Sequence, residues 1–343
     1  MKKQIFFAAL VCSLLAVQTA VAQNPVTTLE HNGTTQVFYG LNSLVDAYEA
    51  SVNGDSLYLS TGYFTAPASI AKRINIIGAG HFPDSLNVAK RTNLLVINGA
   101  INLRYGADSL RLEGLYINGG ISFNNYVDYV NVVRCWTTNV DFDNSSINNN
   151  NNCTFEECFI QGVVNKHKGI NLCIKNSIIN HIINIDANAL ITNNIIFGRF
   201  WYVNTSVIQN NIFFDNYALA NEDENGHIIN DNKNNIINNN VFASYTNSII
   251  YNLISNNYIS VVLSNLFVNQ TGNSINYAHD YHLKTPETYI GTDGTQVGLY
   301  GGEIPFKDKG FPSNPQIITK KIASKTDSNG NLQINFTVKT QDN

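Results

Sequence analysis

Charge is scarce in this chain. Only 13% of its 343 residues are Asp, Glu, Lys or Arg, and the net charge is −4. Phosphate binding needs clustered Lys and Arg, so nucleic acid is excluded as a partner. After the first 22 residues no apolar run approaches the ~20 residues that a membrane-spanning helix needs. Helical patterns of 10–15 residues are also missing between the strand-like runs, which excludes a βαβ fold. Leucine is not periodic, which excludes leucine-rich repeats. Disorder is excluded as well, because 44% of residues are hydrophobic.

The start is organised differently from the rest. Met1-Lys2-Lys3 precedes an apolar run from Ile5 to Val17, and Ala20-Val21-Ala22 follows. A basic start, a short apolar run and an A-x-A site predict a signal peptide over residues 1–22, cleaved near Ala22. The mature chain is then expected to be secreted, periplasmic or on the outer cell surface. Four cysteines follow that site: Cys135, Cys153, Cys158 and Cys173. An even number in an exported chain permits disulfides. Cys135 and Cys158 sit beside Trp136 and Phe159 in apolar blocks, however, which is also the setting of buried free thiols.

Asparagine is abundant. There are 54, of which 34 lie between residues 101 and 250. They alternate with short blocks of Ile, Val and Phe. Aligning the blocks by their second residue gives Arg134, Glu157, Asn176, Asn194, Asn211 and Asn240. The spacings are 17 to 23, with one gap of 29 that contains the polar stretch Tyr217 to His227. Short β-branched runs bounded by Asn and Gly at such a period predict stacked strands joined by turns. Asn tolerates left-handed turns, and its amide can both donate to and accept from identical neighbours in a stack. Asn176, Asn194, Asn211 and Asn240 are therefore expected to form one ladder. A shaft of ten to twelve coils is expected at this period.

Before the coils, Asn42 or Ser43 is placed to cap a short helix, with Leu44, Val45, Tyr48 and Val52 on one side. Gly54-Asp55, Ser56 to Ser60 and Gly62-Tyr63-Phe64 follow. Residues 44–63, LVDAYEASVNGDSLYLSTGY, resemble the opening of right-handed parallel β-helix proteins of the pectate-lyase-like superfamily. The blocks NNIIF, NNIFF and NNVF resemble their coils. DYHLK at 280–284, GTDGTQVGLYGG at 291–302 and the Pro-containing stretch 305–315 resemble the closing turns of exported bacterial members. The resemblance implies an all-β, right-handed parallel β-helix (solenoid) with an N-terminal capping helix. It is specific for architecture and carries little about function. The expected boundaries are an N-terminal segment at 23–55, the β-helix at 56–302 and a C-terminal linker and β-hairpin at 303–343. The hairpin is read from two β-rich runs around Asn329-Gly330. It is either a cap on the shaft or a docking element for a protein partner.

Catalytic signatures are not visible. NVDFDN and GAGHF are the nearest fragments to polygalacturonase motifs, and neither matches. A lyase set of Asp ligands with an Arg base is not evident. Whether the chain is an enzyme stays open. One lateral patch is expected from the repeat. Stepping back ten residues from successive ladder positions brings Lys166, Lys168, Asp186, Arg199, Trp201 and Tyr202 onto neighbouring coils. Cations and an aromatic ring there suit a sugar with acidic groups, whereas solvated turn charges around a packed Trp201 are the plain alternative. Glu222, Asp223 and Glu224 in the inserted loop are candidate ligands for Ca²⁺; a solvated loop is the alternative. Three functions are carried forward: non-catalytic glycan or polysaccharide binding, a polysaccharide lyase or glycoside hydrolase, and a structural or adhesive surface protein.

Overall fold

The computed structural model describes residues 24–83, 91–124, 126–142, 149–164, 169–185, 188–214, 234–243, 252–310 and 316–339. The expected signal peptide lies outside them. A five-residue cadence builds the shaft. A residue with left-handed backbone is followed by a buried residue, then by three strand residues with the middle one inward. A second left-handed residue closes the unit. Tyr129 and Arg134 bracket Asn131–Val133, and Asn152 and Glu157 bracket Thr154–Glu156. The pairs Asn171/Asn176, Asn188/Asn193, Thr205/Asn210 and Asn234/Asn239 do the same for the next four rungs. Asn dominates these corners because its short polar side chain tolerates the left-handed region. The inward residues Leu112, Val132, Phe155, Ile174, Ile191, Ile208 and Ile237 are fully buried. Each contributes about 1.5–3 kcal/mol of transfer free energy.

Stacking these units in parallel gives a first sheet running from Ser56–Leu59 to Leu253–Ser255. A second parallel sheet runs from Gly62–Thr65 to Val241–Phe242. Together they form a parallel β-solenoid of about eight turns. That is fewer than the bare period predicts. One excursion sets the offset from Asn75 to its partner Arg111 at 36, and another sets that from Val207 to Ile236 at 29. The last parallel bridge among the described residues joins Val241 to Tyr258, short of the expected boundary at residue 302.

The N-terminal end is closed by two devices. Val26–His31 and Thr34–Tyr39 form an antiparallel hairpin on the edge of the first sheet. Helix Ser43–Ala50 buries Leu44, Ala47 and Tyr48. Asn42 stands at its N-terminus, but its Oδ1 accepts from Thr65 Oγ1 (2.8 Å) and makes no cap. Ser43 is the first helical residue and bonds Thr27 instead. Val52 is exposed rather than packed. Lys72 Nζ donates to the carbonyls of Tyr48, Glu49 and Ser51, satisfying the helix C-terminus.

The ladder column is Ser177, Asn194, Asn211, Asn240 and Asn257. The Oδ1 of Asn211 accepts from both the backbone N (2.9 Å) and the Nδ2 (3.0 Å) of Asn194. Asn240 does the same for Asn211, and Asn257 for Asn240. The other Nδ2 proton of each goes to a strand carbonyl, Ile174 for Asn194 and Ile191 for Asn211. Asn176 is not a member. It occupies the left-handed corner one residue earlier, and its side chain points away from the core. The column continues through Cys158 and Cys135, which are buried free thiols. Burial pushes the Cys153 and Cys158 thiols up to about 12 and holds Cys135 well above the ordinary thiol range, so these sulfurs are unreactive core atoms.

The left-handed corner column dock the rest of the chain. Residues 289–310 form a strap that runs antiparallel to the direction of coil growth. Asn239 Nδ2 donates to Ile290 O (3.0 Å), and Asn210 Oδ1 accepts from Thr292 N (2.9 Å). Asn176 Nδ2 donates to the carbonyls of Leu299 (3.0 Å) and Gly301 (2.7 Å). Glu157 Oε2 accepts from Lys307 N (2.8 Å). The strap is needed because the outward residues Phe159, Ile178, Ile195, Ile212 and Val241 are apolar. They cluster with Val297, Leu299 and Phe306 of the strap and with Phe267, Tyr281 and Leu283 before it. At Gly298 (φ 78°) a Cβ would lie 2.5 Å from Ile212 Cδ1, so only glycine fits. Beyond the strap, Gln316–Ile322 and Ile334–Lys339 pair antiparallel, as the Asn-Gly turn predicts. Asp327 Oδ1 closes that turn by accepting from the backbone of Asn329 and Asn331.

Candidate functional site

A polar cleft opens where the strap crosses the shaft. Lys175, Thr192 and Gln209 are the third residues of three successive rungs and point outward. The corner residues Asn176, Asn193 and Asn210 follow them. Thr292, Asp293, Gly302, Glu303 and Ile304 of the strap face them across a space of about 230 Å³. This is smaller than the ~300–1,000 Å³ of drug-sized sites, and it suits a group the size of one sugar ring.

Asn193 forms the floor. It is 3% exposed. Its Oδ1 accepts from Thr192 Oγ1 (2.7 Å), while its Nδ2 has no partner. The neighbouring corners, Asn176 and Asn210, spend their amides on the strap. At Asn193 the strap passes with Gly301 and Gly302, and a Cβ on Gly301 would lie 2.5 Å from that Nδ2. An unpaired buried amide costs about 1–3 kcal/mol, so this donor is kept at a price in stability. Asn238 continues the outward column two rungs beyond Thr192, about 10 Å away. Its buried Oδ1 is an acceptor without a donor. Lys175 Nζ is paired with Glu156 Oε1 (3.0 Å). Both rim carboxylates come from the strap, and Asp293 Oδ1 is tied into its own turn by Thr295 N (2.9 Å) and Oγ1 (2.8 Å). Amides, hydroxyls and carboxylates, with no aromatic ring in the lining, can exchange hydrogen bonds with a polyhydroxylated ligand.

The expected lateral patch is placed in part. Trp201 pairs with Ile183, and the left-handed residues Asn184 and Tyr202 share a corner on adjacent coils. The register is therefore one residue from the expected alignment of 184 with 201. The Arg199 guanidinium covers one face of Trp201 at 4.3 Å, which takes up ring surface a sugar would need. Lys166, Lys168 and Asp186 lie outside the described residues, as do Glu222, Asp223 and Glu224. Among the described residues no group of three His, Cys, Asp or Glu is placed to hold a metal ion. No described helix is long and apolar enough to cross a membrane.

Sequence reasoning missed the cleft. The one available signal was the run of Asn-Asn pairs at 193–194, 210–211 and 239–240, which supplies one amide more per coil than a single ladder uses. Comparison with protein-family models, with curated proteins and with solved structures finds no match to this chain.

Proposed function

We propose that this chain is an exported glycan-binding β-solenoid of pectate-lyase-like architecture, acting without catalysis outside the cytoplasmic membrane. The cleft beneath the strap takes one unit of a neutral sugar chain. The observation that carries this reading is the buried, unpartnered Nδ2 of Asn193 in a polar cleft. A hydroxyl oxygen of a ligand would satisfy it once the strap at Gly301, which shields this Nδ2 from solvent, moves aside. The shortage of cationic side chains in the lining favours neutral sugars over uronates.

The test is titration calorimetry against neutral oligosaccharides selected from a glycan array. Asn193→Gly keeps the left-handed backbone and removes the amide. It should weaken binding about 3- to 10-fold, the value of one hydrogen bond. Unchanged affinity in Asn193→Gly together with loss in Trp201→Ala would move the site to the lateral patch. Release of unsaturated or reducing ends from the glycan would make the chain an enzyme and sink the non-catalytic reading.

A docking role for the C-terminal hairpin is a second reading, favoured by its exposed apolar row of Ile322, Ile334, Phe336 and Val338. Such a row marks a surface that another protein covers. Ending the chain at Gly310 should leave glycan affinity unchanged and abolish retention at the cell surface. Full retention of that shortened chain would exclude the role.

A further inference from the structure

We propose a second sugar-binding surface on the opposite corner of the first sheet, a tyrosine platform made by Tyr105, Tyr126 and Tyr129. The glycan class rests on the reading above; the platform itself rests on different observations. The two coils involved are in register throughout. Leu103 pairs with Phe123 and Arg111 with Asn131, an offset of 20 on both sides of the corner. Asp128 N donates to Asp108 Oδ1 (2.9 Å) and Ser109 N to Asp128 O (2.8 Å), so the offset holds within the corner as well. Tyr126 therefore stacks on Gly106, and Tyr129 on Ser109.

Both tyrosines stand where the fold has better residues. Tyr126 has φ 47° and Tyr129 has φ 60°. Gly106 makes the same turn one coil earlier at φ 99°. The column of Tyr129 otherwise holds Ser109, Asn152, Asn171, Asn188, Thr205 and Asn234, all left-handed. A bulky aromatic residue in that region is strained, and strain persists where something outside local folding maintains it. Packing among the described residues does not explain these rings. Tyr105, Tyr126 and Tyr129 are 76%, 51% and 55% exposed. Their rings and hydroxyls touch no ring, cation or hydrogen-bond partner among the described residues.

Exposed tyrosine faces beside carboxylates suit a sugar ring. The C–H face of the sugar lies on the aromatic face, and its hydroxyls reach the tyrosine oxygens and the Asp108 and Asp128 carboxylates. Rings this exposed fit a flat ligand laid across them better than an ammonium group, which gains most where it is desolvated. Tyr105 and Tyr126 stand on successive coils, about 5 Å apart in rise, close to the length of one sugar unit. The platform thus reads consecutive units of a chain rather than a terminal group.

The experiment is affinity electrophoresis of the full chain in gels containing mixed-linkage β-glucan, glucomannan or xylan. Thermal unfolding is measured in parallel. The variant Tyr126→Gly/Tyr129→Asn installs the residues that other coils use at these two positions. Its Tm should hold or rise by about 1–4 °C, while retardation by the polysaccharide falls at least fivefold. A clear fall in Tm would show that the rings serve the fold and would overturn the platform. Retardation that survives the double variant but not Asn193→Gly would overturn the platform and leave the cleft standing. Retardation lost in the double variant but kept in Asn193→Gly would support the platform and remove the cleft. No retardation of the wild type by any of the three polysaccharides, with tyrosine fluorescence quenched by tetramethylammonium chloride or not, would overturn the platform as a glycan site.

Discussion

Asn211→Leu is expected to lower the free energy of unfolding by about 3–5 kcal/mol. Asn211 is fully buried. Leucine has the same number of side-chain heavy atoms and is larger, so the loss comes from hydrogen bonds and some crowding and not from a cavity. The backbone N–H of Asn194 would be left without an acceptor inside the core. The bonds from Asn211 Nδ2 to the Ile191 carbonyl and to Asn240 Oδ1 would go as well. Each orphaned buried group costs about 1–3 kcal/mol and each lost pair about 0.5–1.5. Asn211→Asp separates the two halves of the ladder bond. It keeps an acceptor for Asn194 but sets an anionic oxygen against Asn240 Oδ1. Burial and that repulsion raise the folded-state pKa of the introduced carboxyl, so its deficit should be largest at neutral pH. Part of the lost stability should return as pH falls from that raised folded-state pKa to about 4, and no more below it, where the carboxyl is protonated in both states. Guanidinium unfolding followed by circular dichroism measures both. A loss below 1 kcal/mol in Asn211→Leu would mean that the ladder follows from the stack and does not support it.

Glu157→Leu is expected to cost about 3–5 kcal/mol and to loosen the strap. The Glu157 carboxylate (1% exposed) receives Arg134 Nη2 at 2.8 Å, and the Arg134 guanidinium is 6% exposed. Glu113 meets the same guanidinium at 3.4 Å. Removing Glu157 leaves much of that buried cation uncompensated, and it frees Lys307 N from its acceptor. Replacing both partners by apolar residues avoids the stranded charge. Arg134→Met/Glu157→Leu should therefore be more stable than Glu157→Leu alone. Limited proteolysis reads the other half. Cleavage between residues 299 and 310 should become faster in Glu157→Leu and in the double variant, because both lose the Lys307 contact. Equal stability of the two variants would show that the charge network matters less than the strap.

The short apolar runs, the period and the turn chemistry were legible because stacked strands repeat the same local demands on every coil. The hairpin was legible for a similar reason, since Asn329-Gly330 states its turn locally. The ladder was read one residue out at Asn176. Each corner needs two adjacent residues, one left-handed and one buried. Where both are Asn, as at 193–194, the second is the ladder member, but at Asn176-Ser177 the ladder member is the serine. Amide chemistry alone does not reveal that slip; the fixed five-residue distance between corners does. The strap was illegible for a physical reason. Its partners lie 51 residues away at Asn239 and 150 at Glu157, and several of its contacts use backbone carbonyls that any sequence possesses. The cleft exists only between shaft and strap, so no local pattern announces it.

The strap also acts as a gauge. Solenoids gain and lose repeats readily, because each coil answers only to its neighbours. Here Ile290 must meet Asn239 while Lys307 meets Glu157, four coils away along the same edge. One coil inserted between those points would carry Asn239 about 4.8 Å beyond its partner, and one deleted would overshoot by the same amount. Coil number is therefore fixed between Glu157 and Asn239. On the N-terminal side of Glu157 the same check is carried by side chains, because Gly310 abuts His81 and the His81 Nδ1 bonds the Tyr277 hydroxyl (3.0 Å).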